Sequence, residues 1–280
     1  MAAAIAVVTD STAGLTSALT SRYGIRVVPL RIVAGGLTAD DGPGALPDAI
    51  EAEFRHGARL STASPGPQRF AAAYTAAAAG AEGIVSVHLS GSLSGTVNSA
   101  VLAAAGAAVP VRVIDSRSLG MGLGIAVLDA AEAAAAGQAL EDVAAAASRR
   151  SARLRSFLVL DSLDHLRSGG RLDPAHPGAG SGLTSRPVLH VAGGRIEVLE
   201  RVRTPSAALR RLEELAAEAA AGQPVDLAVQ HLGRAQDAAA LAARLEQLIP
   251  GARHRYLAEA GTVILAHTGP GMLGVVVAPY

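Results

Sequence analysis

A run of hydroxyl-bearing residues and glycines, Leu89–Ala100 (LSGSLSGTVNSA), lies between a predicted strand and a predicted helix. The β-branched residues at 84–87 predict a buried strand, and the alanine-rich residues Val97–Ala107 predict a helix. A helix start presents unbonded backbone N–H groups and a positive dipole, to which Ser94 or Thr96 can add a hydroxyl donor. The run could therefore bind a phosphate or a carboxylate. It could equally be an ordinary helix start that Ser94 caps.

Two other short segments combine glycine with a side chain that could face an anion. His267 precedes the turn sequence Gly269–Gly271, which predicts a rigid turn with exposed amides beside a titratable imidazole. Arg171 follows two glycines, whose backbone permits a close approach. Both segments also have a simpler interpretation, as a structural turn with an incidental histidine and as a surface arginine.

Strands alternate with helices from Ile5 to about Ala136, which predicts a parallel sheet with helices on both faces. Ligands of such sheets bind at the carboxyl ends of the strands. Four polar residues are expected at or near those ends: Asp10, Thr62, Ser94 and Asp115. Thr62 is expected in a loop before a helix. The two aspartates are most simply helix caps or strand-end hydrogen-bonding groups, and they are not interpreted as an acid–base pair.

A second unit is expected after a boundary near Arg150. It starts with a strand at 154–160 and contains a hairpin around Gly193-Gly194. Thr204-Pro205 is a typical N-cap and first helical residue. Residues 262–266 are expected to be a strand, so that His267 lies where a strand breaks.

The composition excludes several classes of function. Basic and acidic side chains balance at 24 each, so a nucleic-acid partner has no electrostatic signature. The chain has no cysteine and no lysine, which excludes thiolate catalysis, disulfides and a Schiff-base or P-loop lysine. No run approaches the ~20 apolar residues of a membrane span, and the first residues lack the basic residues of a signal peptide. A cytoplasmic protein without stable membrane insertion is expected.

Three familiar functional motifs are absent from the sequence: the dinucleotide fingerprint, the nucleophile elbow and the HExxH zinc motif. Gly120–Ile125 has its third glycine in the wrong place for a dinucleotide fingerprint. None of the serines in Leu89–Ala100 has glycines two residues away on both sides, as a nucleophile elbow requires. The eight histidines form no HExxH motif, and no metal site is predicted.

Taken together, the segments resemble the DegV family in order and spacing over essentially the whole chain. The segments that match are Thr9–Thr12, Val28–Leu30, Thr62–Pro67 with Phe70, Leu93–Thr96, Ile114–Ser116, Gly169–Leu172, Arg186–Leu189, Val202–Thr204 and His267–Gly271.

This resemblance implies an α/β fold with two α/β domains, 1–150 and 151–280, and a fatty acid held between them. The first domain would have a parallel sheet flanked by helices and the second a mixed sheet. The acyl chain would lie in an apolar tunnel. Thr62 and Ser94 would hydrogen-bond the carboxylate, with His267 and the positive charge of Arg171 beside it. A carboxylate removed from water needs several such donors.

The resemblance also implies a carrier rather than an enzyme. A separate kinase subunit would make the acyl-phosphate, a step of phospholipid metabolism, and Arg203 would face that partner. No cofactor, metal or nucleic acid is implied. One departure concerns Ala63-Ser64, where the family commonly has Ser-Gln. Two alternatives stay open: an acyl hydrolase or acyltransferase that uses Ser94 with His267 as base, and a domain that binds a sugar phosphate or a nucleotide.

Overall fold

The structure, a computed structural model, describes residues 4–42, 48–56, 59–172 and 185–280. The chain divides into two compact units, Met1–Ala152 with Gly261–Val263, and Arg153–Ala260 with Ile264–Tyr280. The chain therefore passes from the first unit to the second near residue 152, and residues 261–263 return to the first unit. The predicted position of a ligand between domains 1–150 and 151–280 stays a prediction.

The first part of the chain contains these elements: β1 (Ile5–Asp10), α1 (Ser17–Tyr23), β2 (Arg26–Val28), β3 (Arg31–Ala34), β4 (Leu37–Asp40), α2 (Asp48–Arg55), β5 (Ser61–Ala63), α3 (Pro67–Ala78), β6 (Gly83–His88), α4 (Thr96–Ala104), β7 (Val111–Asp115), α5 (Met121–Ala135) and α6 (Leu140–Arg153). The remaining elements are β8 (Arg155–Val159), α7 (Asp164–Ser168), β9 (Arg186–Ala192), β10 (Arg195–Val202), α8 (Pro205–Ala220), β11 (Val225–His231), α9 (Ala235–Leu248), β12 (Ala252–Glu259), α10 (Thr262–Thr268) and β13 (Leu273–Pro279).

In the described part of the first unit, four parallel strands form a sheet in the order β2-β1-β6-β7. Helices α3 and α4 bury Phe70, Tyr74 and Ala100 in one cluster with Val8 and Ile84 of the sheet. Each such large side chain contributes about 1.5–3 kcal/mol when fully buried. Helix α5 is apolar on nearly all sides and buried over most of its length, as expected for a helix inside a core. The predicted parallel sheet flanked by helices is confirmed.

In the described part of the second unit, six strands form a mixed sheet in the order β10-β9-β8-β13-β11-β12. Only β11 and β12 are parallel neighbours in it. Helices α8 and α9 bury Leu212 and Leu241 against this sheet. The predicted hairpin is present, because Gly193 and Gly194 both take positive φ values, 57° and 86°, in the turn between β9 and β10. Thr204 caps α8 by accepting the N–H of Ala207 at 3.1 Å.

The sequence predicts a single strand from Arg26 to Val33, but these residues form two strands in two different sheets. Pro29 lies between β2 and β3 and has no N–H to donate to a strand neighbour. The next N–H, that of Leu30, donates instead to the Ser11 hydroxyl at 3.1 Å. In the described residues, β3 forms an antiparallel three-stranded sheet with β4 and β5. Thr62, expected in a loop, therefore lies on β5 and pairs with Ile32.

The hydroxyls of Ser11 and Thr12 after β1 predict the cap of a helix that reaches Tyr23, and the structure differs from this prediction. Residues Ser11–Ala13 form a single 3-10 turn that Asp10 caps, and Gly14 ends it with φ of 67°. Helix α1 begins only after Thr16, whose hydroxyl accepts the N–H of Leu19 at 3.4 Å. Gly14, in the left-handed conformation that glycine takes at low cost, separates this turn from helix α1.

The predicted strand at residues 262–266 is wrong, because these residues form helix α10. Three consecutive β-branched residues, Thr262, Val263 and Ile264, favour a strand by propensity alone, but the tertiary surroundings override that preference. Thr268 is buried, and its hydroxyl donates to the C=O of Ile264 at 2.9 Å, one helical turn earlier. His267 therefore lies in the last turn of a helix.

The prolines and glycines from Pro174 to Gly182 predict an open loop, and this segment lies outside the described residues. No helix among the described residues has both the length and the apolar character that crossing a membrane requires.

Candidate functional site

The carboxyl ends of β1 and β6 meet at the place where the parallel sheet changes its direction of winding. From β1 the chain moves to β2 on one side, whereas β6 and β7 lie on the other side. Open parallel sheets bind ligands in the crevice at this switch point. Asp10 ends β1, and the run of serines and glycines follows β6 directly. The sequence-predicted anion site thus begins at the switch point of the sheet.

Residues Leu89–Ser94, named here the serine loop, form a compact turn held by its own backbone. The C=O of Ser90 accepts the N–H groups of Leu93 at 3.0 Å and Ser94 at 3.2 Å. The buried Ser90 donates its own N–H to the C=O of Ser118 at 2.8 Å. Gly91 donates its N–H to the carboxylate of Asp115 at 3.2 Å, at the end of the neighbouring strand β7. The loop is therefore anchored to the end of β7 and to the segment that follows it before the loop reaches Ser94.

Ser94 is the centre of a chain of three hydroxyl groups. Its Oγ lies 2.8 Å from the Oγ of Ser64 and 2.8 Å from the Oγ1 of Thr96. The N–H of Thr96 also donates to Ser94 Oγ, at 3.4 Å. The N-cap of α4 is Gly95, without a side-chain bond, so the interpretation of Ser94 as the helix cap is wrong. The Ser94 O–H can donate to either neighbouring hydroxyl or to another acceptor.

Ser64, which the sequence showed only as part of a departure from the family pattern, contacts Ser94 and lies two positions after Thr62. Thr62 lies half-buried on β5, and Ser64 follows it by two positions. Alternate residues of an extended segment point to the same side, which is the one signal that could have associated Ser64 with Thr62. The described residues of the first unit thus bring the hydroxyls of Ser64, Ser94 and Thr96 together beside the strand that carries Thr62.

In the second unit, Arg171 is held in place by the end of helix α7. Gly170 takes φ of 69° and donates its N–H to the C=O of Arg167, and Arg171 N–H donates to the C=O of Leu166 at 2.9 Å. This left-handed helix ending is what the double glycine permits. The Arg171 guanidinium also donates to the C=O of Gly169, so the half-buried side chain folds back over the turn.

His267 packs directly on this turn. A Cβ atom added to Gly169 would lie only 2.7 Å from His267 Nδ1, so the ring lies against the glycine backbone. Burial and, to a smaller extent, the positive charge of Arg171 together lower the pKa of His267 to about 4. The structure therefore brings His267 and Arg171 together within the second unit, as two neighbouring groups of which the imidazole is neutral at pH 7.

The turn after His267 also depends on glycine. Gly269 and Gly271 have φ of 71° and 82°. A Cβ at Gly269 would lie 2.6 Å from the ring of His165, and one at Gly271 would overlap the carboxylate of Asp161. The rigid turn predicted here is present, and its glycines serve close packing against α7 and the residues before it.

Arg203 lies exposed on the surface of the second unit, between the end of β10 and the cap of α8. Asp115 is exposed and binds two backbone N–H groups, those of Gly91 and Arg117, which agrees with its interpretation as a strand-end hydrogen-bonding residue. Among the described residues, no group of three or more histidine, aspartate or glutamate side chains could hold a metal ion.

The low pKa of His267 gives a testable pH dependence. The unfolded imidazole titrates near pH 6.5, so between about pH 4 and 6.5 the unfolded state binds more protons than the folded state. We therefore expect stability to fall as the pH is lowered through this window. Arg171→Gln should raise the pKa of His267 but leave it below 6.5, because burial is the larger cause.

Nuclear magnetic resonance titration of the His267 ring measures this directly. Arg195→Gln, an equal loss of charge at the start of β10, serves as the control and should leave the titration unchanged. A His267 pKa near 6.5 in the unsubstituted protein would contradict the buried position of the ring.

Comparison with known proteins gives a consistent result over the whole chain. The family model described as "Uncharacterised protein, DegV family" matches residues 4–280. A DegV domain-containing protein of Streptomyces coelicolor is 46% identical over 274 residues, covering 98% of both chains. A DegV domain-containing protein of Mycobacterium tuberculosis is 38% identical, covering 98% of this chain and 96% of the relative.

Solved structures show the same fold. The structure described as "Fatty Acid Binding of a DegV family Protein from Thermus thermophilus" is 34% identical, with a TM-score of 0.90 and 99% of each chain covered. The structure described as DegV, "a fatty acid binding protein from Bacillus subtilis", is 30% identical, with a TM-score of 0.89, and covers 99% of this chain and 100% of that one.

Proposed function

This chain belongs to the DegV family, and we propose from that premise that it binds a long-chain fatty acid and acts as its carrier. The carboxylate would be held by Thr62, Ser94 and the hydroxyls beside them, together with the His267–Arg171 pair. The ligand would lie between the two domains predicted from the sequence. The observation that carries the proposal is the hydroxyl chain around Ser94 at the switch point of the sheet.

The hydroxyl chain suits an acceptor such as a carboxylate. Ser94 can accept hydrogen bonds from Ser64 and from Thr96 at once, which leaves its own O–H free to donate. Donors that are themselves hydrogen-bonded in this way are polarised and bind an anion more strongly. The partners of Ser94 within the described first unit are hydroxyl and backbone groups, not a base. This environment supports a role as a hydrogen-bond donor rather than as a nucleophile.

The His267–Arg171 pair would supply the positive charge. With its pKa lowered to about 4, His267 is neutral at pH 7 and can donate one N–H without a charge of its own, whereas Arg171 remains a cation. Charge-assisted hydrogen bonds of this kind contribute about 1.5–3 kcal/mol each. One cation beside one carboxylate leaves the bound acid close to neutral overall, which lowers the cost of removing it from water.

The acyl chain would supply most of the affinity. At ~0.8 kcal/mol per methylene, about fifteen methylenes give a gross driving force of order 10 kcal/mol. As part of the same proposal, the carrier works in the cytoplasm and presents the carboxylate to a separate kinase subunit that forms the acyl-phosphate. The exposed Arg203 is proposed to contact that subunit.

The proposal is tested by extracting the protein purified from a bacterial host and identifying bound lipid by mass spectrometry. Delipidated protein is then titrated with hexadecanoic acid by calorimetry. We expect a long-chain acid in the extract and saturable binding of one acid per chain. Empty protein that also fails to bind the added acid would overturn the proposal.

Ser94→Ala separates the carrier from the esterase or acyltransferase alternative. Loss of one hydrogen bond to a carboxylate should weaken binding by about 10- to 100-fold. Ser92→Ala, an exposed serine of the same loop, is the matched control and should change the affinity less than about twofold. Hydrolysis of an acyl ester by the unsubstituted protein, abolished in Ser94→Ala, would favour the enzyme instead.

A further inference from the structure

A fully buried chain of polar side chains runs beneath the serine loop. Asp10 Oδ2 lies 3.0 Å from His88 Nδ1, and His88 Nε2 lies 2.7 Å from Ser86 Oγ. The hydroxyl of Tyr74 donates to Ser86 Oγ at 2.9 Å. All four side chains are at most 1% exposed. This chain links β1, β6 and α3 inside the first unit, and the proposed carrier function assigns no role to it.

With Asp10 as a carboxylate and His88 as a neutral ring, the hydrogen bonds of this chain all have the same direction. An ionised carboxylate only accepts, so His88 Nδ1–H donates to Asp10 and its Nε2 lone pair accepts the Ser86 O–H. Ser86 Oγ in turn accepts from Tyr74, whose pKa burial raises to about 12, so that the phenol keeps its proton. Every donor along the chain points towards Asp10. Such an aligned series strengthens each of its hydrogen bonds.

Asp10 is saturated by four donors from three residues. Oδ1 accepts the N–H and the hydroxyl of Thr12, at 3.1 and 2.5 Å. Oδ2 accepts His88 Nδ1–H and, at 2.9 Å, the N–H of Leu89. Leu89 is the first residue of the serine loop. One carboxylate therefore ties the end of β1 to the start of the loop that carries Ser94.

We propose that Asp10 is the positioning residue of the fatty-acid carboxylate site, and that His88 holds the Asp10 carboxylate in the orientation that fixes the serine loop. This inference rests on the proposed function. Asp10 acts through Leu89 N–H and makes no contact of its own with the ligand. Asp10→Asn places an NH2 group against a backbone N–H donor whichever way the amide turns, so either Thr12 N–H or Leu89 N–H loses its acceptor.

A double-mutant cycle on the affinity for hexadecanoic acid tests the inference. Asp10→Asn should weaken binding at least about tenfold when Ser94 is present, and less than about twofold in the Ser94→Ala background. A residue that only stabilises the fold would give additive effects. A second measurement is the carboxyl 13C chemical shift of bound [1-13C]hexadecanoate at saturation. In Asp10→Asn this shift should move from its value in the unsubstituted protein towards its value in Ser94→Ala.

Asp226→Asn is the matched control. Asp226 is a buried carboxylate of the second unit that likewise accepts from a histidine Nδ1, that of His254 at 3.0 Å, and from Tyr280 at 2.7 Å. It should lower stability without changing the affinity. If Asp10→Asn does not fold, His88→Asn and His88→Gln replace it. Asn keeps an amide donor facing Asp10 and should retain near-normal affinity, whereas Gln should lose at least about fivefold.

The outcomes distinguish a failure of the proposed fatty-acid binding from a failure of the positioning role of Asp10. If the unsubstituted protein binds no fatty acid, the proposed function fails and this inference fails with it. If it binds but Asp10→Asn binds equally well, or its effect adds to that of Ser94→Ala, the positioning role is overturned while the proposed function stands. Equal affinities for the two His88 variants overturn it as well.

Discussion

Gly169→Ala is expected to weaken fatty-acid binding by about tenfold or more while the second unit keeps its fold. The added Cβ would lie 2.7 Å from His267 Nδ1 and 3.0 Å from the C=O of His165, closer than van der Waals contact permits. The φ of Gly169 is −80°, an ordinary helical value, so alanine is not strained by its own backbone. The His267 ring must therefore move, and with it one proposed donor to the carboxylate.

The neighbouring glycine provides the control. Gly170 has φ of 69° and no atom within 4 Å of an added Cβ, so its requirement is conformational rather than steric. Asparagine tolerates this conformation better than other side chains, and Gly170→Asn should change the affinity less than about twofold. Calorimetry with hexadecanoic acid and the NMR signals of the His267 ring give the two measurements. Unchanged affinity and an unmoved ring in Gly169→Ala would contradict the packing described for this turn.

Gly124→Ala is expected to lower the free energy of unfolding by about 3 kcal/mol. Helix propensity predicts the opposite sign, because alanine is favoured over glycine inside a helix by about 1 kcal/mol. The contact decides the sign: a Cβ on Gly124 would overlap the backbone C=O of Ala13 and lie 3.2 Å from both Leu15 Cδ2 and Met121 Sδ. A backbone carbonyl cannot turn aside as a flexible side chain can, so α5 and the 3-10 turn must separate.

Urea denaturation measures this change, with the dependence on urea concentration compared between variants. Gly106→Ala, in the turn after α4, is the control, since nothing lies within 4 Å of its added Cβ; we expect a change within about 0.5 kcal/mol. A neutral or stabilising effect of Gly124→Ala would mean that α5 does not lie this close to the turn that Asp10 caps.

Elements whose signals are local were predictable from the sequence. The diglycine hairpin and the Thr204-Pro205 helix start each depend on a few adjacent residues, and both are present. Strand β5 depends instead on its pairing with β3, in which Thr62 pairs with Ile32, 30 residues earlier in the chain. A three-residue strand also has no periodicity of its own. Helix α10 has β-branched residues that favour a strand locally. Distant contacts decided both elements.

The candidate site shows the same division. Ser94, Thr62, His267 and Arg171 could be proposed from the sequence because each lies in a short segment rich in hydroxyls or glycine that matches the family pattern. Their environment was not, because it comes from residues that are remote in sequence. Ser64 reaches Ser94 across 30 residues, and Asp10 reaches Leu89 across 79. A side chain that acts on its neighbour only after the chain has folded leaves no pattern in the sequence.

The division into units also bears on the order in which the protein can mature during synthesis. The first unit includes Gly261–Val263, so a ribosome must translate most of the second unit before the first can be completed. Those residues lie beside Asp41, whose pKa is raised by burial and lowered in part by Ser11 and the backbone of Thr262 and Val263. A nascent chain, or a fragment ending at Ala152, would leave this carboxylate without part of its surroundings. Although its synthesis begins first, the first unit can therefore be completed only after Val263 has been added to the chain.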